Sequence, residues 1–120
     1  MIIAIDFDGT IARVDASYNI LGEMPGAIDA LHQLARKHTL ILWTCRGGAS
    51  PDYMGENLFL TKALEWLCEE GFEFTFLNEN VHPLGANLDH FPRKVFAHVY
   101  IDDRNLGGFP GWDQVLEELF

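Results

Sequence analysis

A doubly wound α/β fold is predicted by three features of this 120-residue sequence. Ile2 to Ile5 and Leu40 to Trp43 are unbroken apolar runs bounded by polar residues, as in strands buried on both faces of a parallel sheet. Segments whose apolar residues recur at helical spacing separate the strand-like runs. Reactive polar residues follow three of those runs directly, and a parallel sheet gathers its functional groups at the carboxyl ends of its strands. With 48% hydrophobic and 22% charged residues, the chain can fill one core and lacks the length for a second, so residues 1–120 are read as a single domain.

The first strand, Ile2 to Ile5, should be central. Pro25 then opens a helix in which Ile28, Leu31, Leu34 and Ala35 share a face, ending in the basic run Arg36-Lys37-His38 that suits a helix C-terminus. The second strand, Leu40 to Trp43, should also be central. A second helix fits Asn57 to Glu70, with Asn57 as cap, Leu60, Ala63, Leu64 and Leu67 on one face, and Gly71 as terminator. Phe72, Phe74 and Phe76 alternate with polar residues, and the run from Phe96 to Ile101 alternates as well, so both read as edge strands. Residues 80–93 read as a loop, and a third helix starts near Trp112, burying Val115, Leu116 and Leu119. Right-handed crossovers then give a compact, Rossmann-like sheet of about four strands in the order 3-2-1-4, with helices on both faces.

The charge balance excludes some classes of function. With 18 acidic against 8 basic residues and a formal charge of −10, long nucleic acids are disfavoured as ligands. No stretch approaches the roughly 20 apolar residues that span a bilayer, and the opening Met-Ile-Ile-Ala-Ile-Asp has no basic leader; a cytoplasmic protein with no membrane partner is expected. Cys45 and Cys68 lack CxxC spacing and read as free thiols. His32, His38, His82, His90 and His98 show no zinc-ligand spacing, which leaves a site from His82 and His90 unsupported.

The reactive groups are Asp6-Phe7-Asp8-Gly9-Thr10, Thr44-Cys45-Arg46 and Asp102-Asp103-Arg104-Asn105. Carboxylates ending adjacent parallel strands repel one another unless a cation sits among them, and an all-oxygen site suits Mg²⁺. The Thr44 hydroxyl, the backbone N–H groups after it, and the cations of Arg46 and Lys94 could bind a phosphoryl group, with Cys45 lining the same pocket. Plainer roles exist. Thr44 could be an ordinary strand-end hydroxyl, Lys94 a solvated cation following Arg93, and Arg46 the partner of a carboxylate instead of a substrate. Asn78, Glu79 and Asn80 could contact a leaving group but read more simply as loop, as do Arg104 and Asn105.

The Asp6-Phe7-Asp8-Gly9-Thr10 run after an apolar strand resembles the first motif of the haloacid dehalogenase-like phosphatases, and Thr44, Lys94 and Asp102-Asp103 resemble the second, third and fourth, in the same chain order. The resemblance implies an aspartyl-phosphate mechanism, with Asp6 as nucleophile and Asp8 as general acid and base. It implies Thr44 and Lys94 as phosphate anchors. Mg²⁺ would be held by Asp6, the backbone carbonyl of Asp8 and Asp102, with Asp103 behind them or as a further ligand. Lys94 precedes Asp102 by only eight positions (102 minus 94), closer than in most relatives. Neither the 11–24 stretch nor residues 47–93 leaves room for a folded cap, so the chain resembles a capless member.

Two rival functions remain. A receiver domain also collects acidic residues, a Thr and a Lys at strand ends, but would place its acidic pair first, its phosphorylated Asp in the middle and its Lys late. Here Asp-x-Asp comes first and Asp-Asp last. The other rival is a catalytically silent module that keeps the Mg²⁺ site. Without a cap, specificity falls to loops at 11–24, 47–56 and 78–93 or to a second copy of the chain. The expected partner is a small phosphorylated substrate or an exposed phosphate on a larger molecule.

Overall fold

In chain order the elements are β1 (Ile2–Ile5), β2 (Ala12–Val14), β3 (Ile20–Glu23), α1 (Ala27–Ala35), β4 (Thr39–Leu42), α2 (Phe59–Glu69), β5 (Phe76–Leu77), β6 (Val99–Ile101) and α3 (Trp112–Leu119). The computed structural model describes residues 1–47, 58–81 and 94–120. β1 pairs in parallel with β4, from Ile2 opposite Thr39 to Ile5 opposite Leu42, and with β6, from Ile3 opposite Val99 to Ile5 opposite Ile101. β5 pairs in parallel with the far side of β4. The sheet order is β5-β4-β1-β6, so the two unbroken apolar runs are central and the alternating ones are edges. Among the parallel strands alone this is the expected 3-2-1-4.

Three details differ from the expectation. β2 and β3 form an antiparallel hairpin between β1 and α1, a pairing that apolar periodicity does not signal over such short segments. The edge strands are shorter than their alternation suggests: β5 starts only at Phe76 and β6 only at Val99. Phe72 and Phe74 pack edge to face on each other at 5.0 Å instead, and the Phe72 N–H bonds to the Leu67 carbonyl at the end of α2. Before β6, the Tyr100 hydroxyl donates to the Val95 carbonyl at 2.5 Å and accepts the Ala97 N–H at 3.3 Å, which turns the chain away from a ladder. The third difference concerns the faces of the sheet.

On one face Ile3, Ile5, Leu40 and Leu42 join Ala27, Ala30, Leu31 and Leu34 of α1, Ala63 and Leu67 of α2, and Trp112 and Val115 of α3. On the other face Ala4 and Ile41 meet Val95 and Ala97. Among the described residues, then, all three helices pack on one face. The handedness of crossovers explains the division. β1 to β4 to β5 steps one way across the sheet and places α1 and α2 on the same side, whereas the step from β5 back to β6 crosses the opposite face. That crossover is covered, among the described residues, by the irregular 94–98 stretch rather than by a helix.

Helix ends follow local chemistry. Gly26, at φ 77°, caps the start of α1, and the Glu23 carboxylate accepts the Ile28 N–H at 3.0 Å, satisfying a donor the first turn leaves open. Gly71, at φ 90°, follows α2 as expected. The expected cap of α2, Asn57, lies outside the described residues, and its N-cap position is occupied by Leu58. His38 bonds the N-terminal amine and the Leu119 carbonyl, His98 accepts the Ile2 N–H, and His32 packs against Phe72, so these three histidines serve the fold. His82 and His90 lie outside the described residues. No helix among the described residues is long and apolar enough to cross a membrane.

Candidate functional site

The chain leaves β1 in a tight turn built on one carbonyl. Phe7 accepts the N–H groups of Thr10, Ile11 and Ala12 at 3.3, 2.9 and 3.1 Å, while the Gly9 N–H bonds to the Ala12 carbonyl at 2.8 Å. Gly9 sits at φ 77°, where an L side chain is strained, and a Cβ there would collide with the carboxylate of Asp103. Phe7, Thr10 and Ile11 are completely buried. The buried Trp112 indole donates to the Thr10 carbonyl at 2.8 Å, tying α3 to the turn. Asp6 and Asp8 thus project from a rigid segment on either side of a buried phenylalanine.

β6 lies beside β1, and the Asp6 N–H bonds to the Ile101 carbonyl at 2.9 Å, so the residues that follow β6 arrive beside Asp6. Carboxylate oxygens of Asp6, Asp102 and Asp103 lie within 4.8 Å of one another. Burial, followed by the negative charge of Asp102, pushes the Asp6 carboxyl up to about 7; Thr10 Oγ1 donates to it at 3.3 Å. Asp103 is also raised, first by burial and then by Asp102. Asp102 is aligned by the Arg104 N–H, 2.9 Å from its Oδ1. Three oxygen donors clustered this closely, two of them pushed up by burial and by Asp102, fit a hard divalent cation.

Asp8 stands apart from that cluster. Arg46 Nε bonds both of its oxygens at 3.0 and 3.1 Å, and Nη2 bonds Oδ1 at 2.7 Å. The other guanidinium donors reach the Phe59 carbonyl at 3.0 Å and the Tyr18 carbonyl at 2.9 Å. The group also stacks 4.9 Å from the Phe7 ring centroid. Arg46 is 5% exposed, and its fork joins the β1 turn, the start of α2 and the hairpin tip. Of the two roles open to Arg46 in the sequence, the structure shows the carboxylate pair, with four of its five N–H donors bound within the protein.

Thr44 and Cys45 occupy the turn after β4. The Thr44 N–H bonds to Asn78 Oδ1 at 2.8 Å, and Thr44 Oγ1 accepts the Arg46 N–H at 3.1 Å, which leaves the hydroxyl proton free to donate. Cys45 is exposed and lines the cleft. Lys94 is not among the residues that line the cleft: its ammonium lies 5.0 Å from the Tyr100 ring centroid, over the side chain that also holds Val95. Asn78, with φ 51°, serves the Thr44 turn, and Asn80 accepts the Phe96 N–H, so both are structural.

The cleft at the strand ends has a volume of about 770 Å³. Asp6, Asp8, Asp102 and Asp103 line it together with Arg13, Asp15 and Tyr18 of the hairpin and Arg104 after β6. Arg13 and Tyr18 were not marked by any motif. The Asp15-to-Asn19 stretch does carry a turn signal: the Asp15 carboxylate accepts the N–H groups of Ser17 and Asn19 at 2.8 and 3.0 Å, a loop that places Tyr18 at positive φ.

No family model matches the chain, and no curated protein does. A solved structure, described as that of a conserved protein from Bacteroides thetaiotaomicron, is 38% identical, superposes with a TM-score of 0.79, and is matched over 98% of this chain and 87% of its own length. At that identity and coverage the likeness extends beyond the fold, and the chain belongs to the same family as this conserved Bacteroides protein.

Proposed function

We propose that this chain is a Mg²⁺-dependent phosphomonoester hydrolase of the haloacid dehalogenase-like type, acting in the cytoplasm through an aspartyl-phosphate on Asp6. The observation that carries the reading is the convergence of Asp6, Asp102 and Asp103 at the carboxyl ends of two neighbouring parallel strands, directly beside the Asp-x-Asp-Gly-Thr turn. Two exposed free cysteines suit a reducing compartment. Asp6, Asp102 and Asp103, with the backbone carbonyl of Asp8, would hold Mg²⁺, which supplies positive charge against the phosphoryl oxygens.

The chain's own residues account for the remainder. An Asp6 oxygen attacks phosphorus; the Asp6 O–P bond forms as the P–O ester bond breaks, and the leaving oxygen takes a proton from Asp8. Water then attacks the same phosphorus, passes a proton to Asp8, and releases phosphate with Asp6 restored. Asp8 Oδ2 accepts one hydrogen bond, from Arg46 Nε, so a lone pair remains for the proton. The Thr44 hydroxyl and the Cys45 side of the cleft face the phosphoryl group. Positive charge assigned to Lys94 on the sequence is better supplied by Arg104, which lines the cleft.

The commitment of Asp8 to Arg46 favours one rival, a cation-binding module without turnover. A turnover screen over phosphomonoesters, with Mg²⁺ and with excess chelator, separates the two. Release of phosphate that requires Mg²⁺ supports the hydrolase; cation binding without any release supports the silent module.

A further inference from the structure

We propose that Arg13 is a specificity residue that binds a second anionic group of the substrate, so that the preferred ligands are small phosphomonoesters carrying a further carboxylate or phosphate. The inference rests on the phosphatase reading for the identity of the first anion. The chain has a formal charge of −10, and the cleft contains Asp6, Asp8, Asp15, Asp102 and Asp103. An unpaired guanidinium in such surroundings would ordinarily fold onto a carboxylate. Asp8 is taken by Arg46 and Asp15 by its own turn, and among the described residues Arg13 makes no side-chain hydrogen bond or ion pair.

Arg13 is nonetheless placed. It lies in β2 directly opposite Gly22 of β3, and a Cβ at position 22 would stand 3.0 Å from its Nη2. The bare backbone of Gly22 is the seat of the guanidinium. The hairpin that carries it is fixed to the reaction centre, because the Tyr18 carbonyl is bonded by the same buried Arg46 that grips Asp8. Arg13 therefore presents five donors in a planar fork, at a set position on the wall of the cleft that holds Asp6, with none of them spent among the described residues. A guanidinium so presented matches a carboxylate or phosphate in two-pronged fashion.

The test uses three ligands of one chain length: propyl phosphate, 3-(phosphonooxy)propanoate and propane-1,3-diyl bisphosphate. Binding to the full chain with Mg²⁺ is measured by calorimetry on an Asp6→Asn background, and turnover on the unsubstituted protein, each with and without Arg13→Ala and Arg13→Lys. The second anion is expected to tighten binding about tenfold. Arg13→Ala should erase that gain and leave propyl phosphate unchanged, and Arg13→Lys should restore part of it. The carboxylate and bisphosphate arms distinguish which second anion is preferred. Equal binding of all three ligands, an equal loss for all three in Arg13→Ala, or no binding by any would overturn the inference. Turnover of propyl phosphate in the same series would leave the phosphatase reading standing in each of those cases.

Discussion

Arg46 grips Asp8 with Nη2 2.7 Å from Oδ1, and the pair is buried to the extent that 3% of the arginine side chain and 20% of the aspartate side chain remain exposed. The same guanidinium bonds Phe59 and Tyr18 carbonyls, so one buried cation joins three segments around the cleft. Removing one partner of such a pair strands the other. Arg46→Met is expected to lower stability by about 3 kcal/mol in denaturant melts, and Asp8→Asn by less, since the amide oxygen can still accept from Arg46 and the guanidinium keeps its bonds to the Phe59 and Tyr18 carbonyls. In the double substitution the two losses should not add. Additive losses would show that the pair is not a coupled unit.

The carboxylate cluster gives a pH dependence whose sign follows from Asp6. Its folded value of about 7 lies above the ordinary 3.8, so the folded state holds a proton that the unfolded chain releases between those values. Without a divalent cation, stability should be greatest below about pH 4 as far as this group is concerned, and should fall as pH rises through 7. Asp6→Asn should then raise the melting temperature of the cation-free protein at pH 8, by about 4 °C or more. A lower melting temperature for this variant would contradict the repulsion inferred among Asp6, Asp102 and Asp103.

Cation binding has the opposite pH slope. The proton on Asp6 must leave before the oxygen can serve as a ligand, so Mg²⁺ affinity should be about tenfold weaker at pH 6 than at pH 8. Calorimetry in two buffers of different ionisation heat should also show proton release at pH 6. A pH-independent affinity would remove Asp6 from the ligand set.

Gly9 is a separate test of the cluster's geometry. Gly9→Ala combines positive φ with a collision against the Asp103 carboxylate. It should cost on the order of 2 kcal/mol and weaken Mg²⁺ binding, because the displaced group is a candidate ligand. Gly71→Ala has a similar φ and nothing near its Cβ, so it should cost about 1 kcal/mol and leave Mg²⁺ binding alone. Equal effects of the two on Mg²⁺ would argue against a role for Asp103.

The parts of this architecture legible in the sequence are those fixed by burial and by strand direction. Ile2 to Ile5 and Leu40 to Leu42 have to be apolar because both faces of a central strand are covered, and the groups that follow β1, β4 and β6 have to meet because parallel strands end at the same edge. Alternation at Phe72, Phe74 and Phe96 was a poorer guide. It records which way side chains point but not whether the backbone has a partner, and local bonds to Leu67, Asn80 and Tyr100 take the donors a ladder would need. The hairpin wall was hidden because three- and four-residue strands carry almost no periodicity. Lys94 and Arg46 show the remaining gap: spacing along the chain does not tell a cation that faces a ligand from one that faces Tyr100 or Asp8.

A covalent bond between Asp6 and phosphorus would be trapped by rapid quench of the Mg²⁺-loaded Asp8→Asn protein with an activated phosphate ester, followed by intact-mass measurement and peptide mapping. An activated leaving group needs no proton, whereas hydrolysis of the intermediate still needs a base, so phosphate should accumulate on the protein. One added phosphoryl group is expected, located on Asp6 and absent from the Asp6→Asn protein. Phosphate mapped to Asp102 or Asp103, or undiminished turnover by Asp6→Asn, would contradict it.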